Sequence, residues 1–215
     1  LFDGEEYAVE NSGYLYVSKK INGMWGVVYT STDLETEKYQ QAVTKDEEGV
    51  YISFSRYDQN TKEIVLKYLE YSNGIWKEEE VIRLYDTYSL HSVDIGATMS
   101  ISKKDDKVVI AVPHIGYKGY LPGIAFLIRD NGVWRLEDCN LFDKDNQLYA
   151  NSGFGGLEIE DIKITSNGIL LMYRFNPALH YMTVYEMRAI YVDDSGWYHS
   201  FGHIGSPLLY YGPDG

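Results

Sequence analysis

The sequence predicts an all-β protein: a β-propeller of about four blades, each a four-stranded antiparallel sheet, or part of a larger propeller. Two observations carry this prediction. A hairpin signal beside a tryptophan recurs along the chain, and no stretch of about 11 residues or more has a helical period. The 215 residues are interpreted as one domain with units at 1–35, 36–91, 92–156 and 157–205, and with 206–211 as a closing strand.

The recurring signal is Asn-Gly-x-Trp, which begins at Asn22, Asn73 and Asn131, and Ser195-Gly196-Trp197 is a shortened fourth copy. Asn and Gly both tolerate the positive φ of a type I′ turn, so each copy predicts a hairpin. The spacings between successive tryptophans are 51, 58 and 63 residues. A spacing of this size is typical of a four-stranded propeller blade.

The strands are predicted from short β-rich runs around these turns. Third strands are predicted at 13–20, 63–71, 123–130 and 184–192, and second strands at 50–57, 107–114 and 168–175. First strands are clearest at 94–102 and 157–165. The first unit has only its outer strands, 13–20 and 25–32 with 6–10 beside them, and 206–211 (SPLLYY) is predicted to supply its missing inner strand.

The composition argues against two classes of partner. The chain has 32 acidic and 19 basic residues and a net charge of −13, so its average field repels nucleic-acid phosphates and anionic membranes. No apolar run approaches the roughly 20 residues of a membrane-spanning helix. We therefore expect neither nucleic-acid binding nor membrane insertion. Cys139 is the only cysteine, which excludes an intrachain disulfide.

The hairpin endings are similar to the Asp-box of sialidase-like propellers, whose pattern is Ser-x-Asp-x-Gly-x-x-Trp. Asp130-Asn131-Gly132-Val133-Trp134 and Asp193-Asp194-Ser195-Gly196-Trp197 carry the Asp and the Gly. In both segments the gap to Trp is shorter by one or two residues, and the leading Ser is absent. The chain also loosely resembles phage receptor-binding and glycan-binding propellers. The resemblance implies a propeller whose tryptophans pack between blades, and it transfers no active site.

Candidate binding residues cluster in loops predicted to open on one face of the propeller, where binding residues usually gather. Aromatic faces beside hydroxyl, amide and guanidinium groups suit a sugar ring, whose C–H face stacks while its hydroxyls hydrogen-bond. We therefore predict lectin-like or receptor-binding recognition of a glycan or cell-surface polymer. The predicted ligand-binding residues are Tyr88, His91, His114, Tyr117, Tyr120, Tyr149, Arg174, His180 and Tyr181.

A glycoside hydrolase of sialidase-like propeller type is the alternative. Its candidate catalytic residues are Glu160, Asp161, Asp94, Arg56 and Arg174. Arg56 and Arg174 end equivalent second strands, but the third unit has His114 at the corresponding position. The arginine triad of sialidases is therefore incomplete. Two glycosidase carboxyl groups must lie about 5 to 9.5 Å apart. Strict strand alternation predicts Glu158 and Glu160 on one face and Asp161 on the other.

A protein-binding scaffold that uses the same loops is the third interpretation. No cofactor and no metal site are predicted, because no His-x-x-x-His pair lies on a predicted helix and the segment at Asp143 lacks the Gly and Glu of a calcium loop. A glycan-binding role predicts a location outside the cell, at a cell surface or on a virion surface.

Overall fold

The structure is a computed structural model that describes residues 5–11, 14–31, 41–58, 60–61, 63–85, 99–114, 123–140, 157–175, 186–193 and 198–201. These residues form fifteen β-strands in four antiparallel sheets and contain no helix. The predicted all-β class is confirmed. We find no helical segment in these ranges that could span a bilayer.

Each sheet is a meander in which strands that follow one another in the chain are hydrogen-bonded neighbours. The first sheet has three strands: β1 (Tyr7–Asn11), β2 (Leu15–Ile21) and β3 (Met24–Thr30). The second sheet has four: β4 (Gln41–Lys45), β5 (Gly49–Asp58), β6 (Glu63–Ser72) and β7 (Ile75–Tyr85). The third has β8 (Ser100–Lys104), β9 (Lys107–His114), β10 (Gly123–Asp130) and β11 (Val133–Asn140). The fourth has β12 (Leu157–Ile164), β13 (Gly168–Phe175), β14 (Glu186–Asp193) and β15 (Tyr198–Phe201).

Three Asn-Gly turns have the backbone that the sequence predicts. The asparagines have φ of 52° at Asn22, 51° at Asn73 and 49° at Asn131, and the glycines that follow them have φ between 77° and 80°. Positive φ at both central residues is the requirement of a type I′ turn. These turns join β2 to β3, β6 to β7 and β10 to β11. The predicted fourth turn at Ser195 lies outside the described residues.

The three turns fix the same strand register. Each tryptophan is paired with the residue five positions before it: Lys20 with Trp25, Tyr71 with Trp76 and Arg129 with Trp134. Side chains alternate between the two faces of a strand, so the three tryptophans occupy equivalent places on equivalent faces of their sheets. The register therefore makes the three hairpins structural copies of one another.

The sheets pack on one another in chain order through three buried clusters. Leu15 and Val17 of the first sheet pack with Val50, Ile52 and Phe54 of the second. In the next cluster, side chains of the second sheet such as Tyr51, Leu66 and Tyr68 pack with third-sheet residues such as Val108, Ile110 and Val112. In the last cluster, third-sheet residues such as Val109, Ala111 and Phe126 pack with fourth-sheet residues such as Ile169, Leu171 and Tyr173. Alternate residues of β9 therefore pack into two different cores, one with the second sheet and one with the fourth.

The first sheet differs from the others because no strand pairs with the free edge of β1 in the part of the chain that the structure describes. By register, β1 corresponds to the second strands β5, β9 and β13, whereas β4, β8 and β12 are the first strands of the other sheets. The Gln41 side chain of β4 donates a 3.3 Å hydrogen bond to the carbonyl oxygen of Val9 in β1. The prediction that the first unit has only outer strands therefore agrees with the described residues. The predicted closing strand, 206–211, lies outside them.

One predicted strand was displaced. The first strand of the third unit was predicted at 94–102, whereas β8 runs from Ser100 to Lys104, and residues 94–98 lie outside the described chain. Asp105 has φ of 52° and forms a tight turn with Asp106. The strand continues to this turn because Lys103 and Lys104 pair with Val108 and Lys107. Because both residues are charged, the apolar pattern that predicts a strand ends before the strand does.

Two glycines allow close approach of the second and third strands. A Cβ built at Gly49 would lie 2.2 Å from the carbonyl oxygen of Tyr71, and a Cβ at Gly168 would lie 2.2 Å from that of Val192. Both glycines follow a turn closed by a backbone hydrogen bond, from Asp46 N to Gly49 O and from Thr165 N to Gly168 O. The second and fourth sheets therefore begin their second strands in the same way.

We predict that Gly49→Ala and Gly168→Ala each lower the free energy of unfolding by about 1–3 kcal/mol, because the added methyl group must displace a neighbouring strand. Gly26→Ala is the matched control, since a Cβ at Gly26 would have no atom within 4 Å, and it should change stability by less than about 0.5 kcal/mol. Urea denaturation measures all three. Equal effects of the three substitutions would contradict the close approach.

Candidate functional site

Most predicted ligand-binding residues lie outside the described chain. This group comprises Tyr88, His91, Tyr117, Tyr120, Tyr149, His180 and Tyr181, together with the candidate catalytic residue Asp94. His114 and Arg174 fall within the strands, at the last residue of β9 and the next-to-last residue of β13. The described strand ends show only where the predicted loops begin.

Contacts between sheets establish which strand ends lie together. Lys103, beside the β8–β9 turn, binds Asp46 in the β4–β5 turn. The backbone N–H of Ile164, at the end of β12, donates a 3.3 Å hydrogen bond to Ser102 Oγ. The first turns of the second, third and fourth sheets therefore share one end of the molecule, the near end. In a meander, the connections from second to third strand lie at the opposite end, which we call the far end. Asp58, His114 and Phe175 end their strands there.

A charged cluster marks the far end of the second sheet. Arg83 contacts Glu80 at 2.6 Å, Glu63 at 3.3 Å and Asp58 at 3.5 Å. Hydrogen bonds to Glu80 and Glu63 raise the pKa of Arg83. Backbone hydrogen bonds, first from Thr61 and also from Asn60, and the charge of Arg56 hold the pKa of Asp58 below its usual value. These shifts hold Arg83 and Asp58 in their charged forms, and the exposed Arg83 presents hydrogen-bond donors to solvent.

The two candidate arginines are not at equivalent register positions. Counting from Gly49 and Gly168, which begin β5 and β13, Arg56 is the eighth residue of its strand and Arg174 is the seventh. Side-chain direction alternates along a strand, so positions one residue apart belong to opposite faces. Arg56 therefore corresponds to His114 and Phe175, and an arginine triad does not arise from these second strands.

Glu160 and Asp161 lie at a β-bulge in β12. The register with β13 shifts between Ile159 and Asp161, and the side chains of Glu160 and Asp161 are both exposed whereas Ile159 and Ile162 are buried. The extra residue of a bulge interrupts alternation. The predicted placement of Asp161 on the face opposite Glu160 therefore does not hold, because the bulge leaves both carboxyl groups on the solvent side of the strand.

Two of the recurring tryptophans pack between sheets, in agreement with their predicted structural role. Trp76 lies against Tyr29 of the first sheet, with ring centroids 5.4 Å apart. Trp134 lies edge-on to Tyr68 of the second sheet at 5.5 Å and donates a 3.0 Å hydrogen bond from Nε1 to Glu79. Each tryptophan therefore contacts the sheet that precedes its own in the chain.

Trp25 differs from this pattern. Its side chain is 51% exposed, and in the described part of the chain no sheet precedes the one to which it belongs. Lys20 Nζ lies 5.9 Å from the centroid of its ring. The predicted burial of Trp25 between blades was therefore wrong, because none of the described sheets packs on the face that carries it. The predicted Trp197 lies outside the described residues.

An ion network joins the second and third sheets at the near end. Lys103 Nζ lies 2.9 Å from both Asp46 Oδ2 and Glu48 Oε2 and 4.6 Å from the ring centroid of Tyr51. Partial burial raises the pKa of Asp46, but hydrogen bonds from Lys103, the Glu48 and Gly49 backbone and Tyr51 outweigh it and hold that pKa below its usual value. Burial is the first cause that raises the pKa of Tyr51 to about 12. The network is a structural clamp, since its members satisfy one another.

No group of three or more His, Cys, Asp or Glu side chains within the described ranges could hold a metal ion. The sequence prediction of no metal and no cofactor stays a prediction, because the loops that carry most candidate residues lie outside those ranges. Among the described residues, the groups that could contact a ligand are the far-end charged cluster, the carboxyl groups of Glu160 and Asp161, and the exposed side chain of Trp25.

Comparisons with known proteins do not place the chain in a family. No family model matches it, and no curated protein matches it. Among solved structures, it is similar to a GH43 endo-arabinanase from Bacillus licheniformis, with 12% identity over 92% of this chain and 94% of that chain at a TM-score of 0.29. The predicted relationship to sialidase-like propellers is not confirmed.

The near-end clamp predicts a pH-dependent cost of Lys103→Met. The pKa of Asp46 is depressed in the folded state, so its contribution to stability is present above its unfolded pKa and is lost as pH falls through the folded pKa. Removal of the lysine should cost about 1–2 kcal/mol at pH 7, and this cost should shrink below about pH 4 as Asp46 protonates.

The matched control is Lys104→Met, because Lys104 is the exposed neighbour in the same strand. Urea denaturation at several pH values measures both variants. A cost for Lys103→Met that is constant with pH, or equal to that of Lys104→Met, would contradict the clamp.

Proposed function

We propose that this chain recognises a carbohydrate or cell-surface polymer through the loops at its far end. The observation that carries the proposal is topological: connections between the second and third strands of three adjacent sheets lie at one end of the molecule. These connections include 115–122 and 176–185, in which Tyr117, Tyr120, His180 and Tyr181 are predicted to bind the ligand. Loops on a rigid sheet scaffold are the usual place for binding residues.

The chemistry of the described strand ends supports a polar ligand. Arg83 is exposed and pairs with the partly buried carboxylates of Asp58 and Glu63, and charged groups of these kinds hydrogen-bond readily to hydroxyls. The adjoining loops are rich in tyrosine, whose ring face suits the C–H face of a sugar. A ligand with alternating apolar and hydroxyl-bearing surfaces matches both features, and sugars have such surfaces.

The four sheets are proposed as successive blades of a β-propeller. Support comes from their meander topology, their stacking in chain order and the position of β4, β8 and β12 as adjacent inner strands, since β8 contacts both β4 and β12. Radial repetition of short sheets is one way in which antiparallel proteins protect their edges. Glycan recognition also favours a location outside the cell, at a cell surface or on a virion surface.

A glycoside hydrolase is the second candidate function, and the bulge in β12 favours it. Bulges are frequent beside active sites because they redirect side chains, and this bulge brings Glu160 and Asp161 to the same exposed side. Glycosidic hydrolysis needs a pair of carboxyl groups, one of which supplies or removes a proton. In this reaction Glu160 and Asp161 would supply carboxyl groups from an inner strand.

Binding and hydrolysis are separated by one panel of glycans and chromogenic glycosides. We predict saturable binding without turnover, weakened at least about tenfold by Tyr117→Ala or Tyr181→Ala, because loss of a stacking ring removes most of a hot spot. Tyr191→Ala in β14 is a control for general loss of tyrosine, and its folding is checked by circular dichroism. Turnover abolished by Glu160→Gln would instead establish the hydrolase. If no glycan binds or reacts, the proposal fails and a protein-binding scaffold becomes the better interpretation.

A further inference from the structure

In each later sheet, one face packs on the sheet that precedes it in the chain. The corresponding face of the first sheet has different residues. By register, positions 6, 8 and 10, in and just before β1, correspond to three buried apolar residues in each later second strand. Those residues are Val50, Ile52 and Phe54 in β5, Val108, Ile110 and Val112 in β9, and Ile169, Leu171 and Tyr173 in β13. In the first sheet the same positions hold Glu6, Ala8 and Glu10, all of them exposed. This surface is therefore adapted to water.

Packing of another sheet on this surface would be costly. Lys20 Nζ lies 3.0 and 3.1 Å from the two carboxylate oxygens of Glu6, and Glu10 adds a further charge four residues along the same face. Burial of these groups removes their hydration, and their mutual attraction does not reliably compensate for that loss. A second copy of this chain, with the same net charge of −13, would add repulsion to that cost. The occupant of the surface must therefore leave the charged groups hydrated or hydrogen-bonded.

Two aromatic side chains nevertheless remain on this hydrated surface. Trp25 is paired with Lys20, and Tyr16 lies on the same face of β2 because Leu15 and Val17 point into the core with the second sheet. Trp25 is exposed and Tyr16 is half-buried. We call the surface formed by Glu6, Glu10, Tyr16, Lys20 and Trp25 the Trp25 face. It combines aromatic rings with hydrogen-bonding groups of both charges.

We propose that the Trp25 face is a second carbohydrate-binding site, separate from the far-end loops of the later sheets, and that its ligand is an extended neutral polysaccharide. The rings of Trp25 and Tyr16 accept the C–H faces of sugar residues, while Glu6, Glu10 and Lys20 hydrogen-bond to hydroxyls in solvent without being desolvated. The surplus of carboxylates over ammonium groups on this face excludes acidic polysaccharides. An open sheet face with spaced aromatic rings suits a chain that lies along it.

The spacing of the two rings sets the ligand size. Tyr16 and the partner of Trp25, Lys20, are four residues apart in β2, which corresponds to about 13 Å along a strand. A ligand that touches both rings is therefore an oligomer and not a monosaccharide. Binding should strengthen with chain length until both aromatic rings are engaged.

Affinity electrophoresis of the full chain in gels with hydroxyethyl cellulose, galactomannan or dextran tests the site, with polygalacturonate as the acidic comparison. We expect at least one neutral polymer to retard the wild-type chain and polygalacturonate not to retard it. Trp25→Ala should weaken retardation at least about tenfold, because an exposed tryptophan is the main stacking group. Met24→Ala is the matched control, since Met24 is in the same hairpin and is 73% exposed on the opposite face, and it should bind as the wild type does.

The Tyr117→Ala and Tyr181→Ala variants distinguish this proposal from the far-end site. Retardation lost in those variants and kept in Trp25→Ala would overturn the second site and leave the far-end proposal intact. Retardation lost only in Trp25→Ala would establish the Trp25 face alone. Absence of retardation by every neutral polymer would overturn the proposal for the Trp25 face. A wild-type chain that self-associates in sedimentation, and that Trp25→Ala converts to monomer, would also overturn it, because a protein surface would then cover the tryptophan.

Discussion

The packing of each sheet on the one before it is the interaction on which the rest of the structure depends. This packing requires that each hairpin has the same register and turns the same face toward the preceding sheet. The Asn-Gly turns fix that register, because only residues that tolerate positive φ can close a two-residue type I′ loop. Trp76 and Trp134 thereby reach tyrosines of the preceding sheet. At the edge of this contact, the indole N–H of Trp134 donates a hydrogen bond to Glu79. The polar clamp of Lys103 with Asp46 and Glu48 fixes the same two sheets at the near end.

The hairpins and most strands were predictable from the sequence because their signals are local. Residues 107–114, 123–130 and 168–175 were predicted with the bounds that β9, β10 and β13 have. β4 was missed and β8 was displaced, because short inner strands with lysine at their ends lack a clear apolar alternation. The bulge at Glu160 was beyond prediction as well, since an extra residue in one strand is defined only by its partner strand. Local patterns specify strands, whereas register between strands depends on both.

The site was less predictable than the fold for a related reason. The sequence assigned all four tryptophans the same role, because the motif around each is nearly the same. Burial of a motif residue depends on what lies against it, and that is a property of the neighbouring sheet. The signal that could have singled out Trp25 was present upstream, in the alternation of Glu6, Ala8 and Glu10 where later units have apolar residues. Comparison of corresponding strand positions across the units, beyond the turn motif itself, would have revealed it.

The stacking of sheets in chain order also affects how the chain acquires its structure. Every described strand pairs with its nearest neighbour in sequence, and each of the three buried clusters joins only consecutive sheets. A polypeptide emerging from a ribosome can thus complete one sheet and dock it on its finished predecessor before the next is synthesised. Such nearest-neighbour architectures gain stability in increments, as repeat proteins do. Growth from the amino-terminal sheet would then need few long-range loop closures among the described strands.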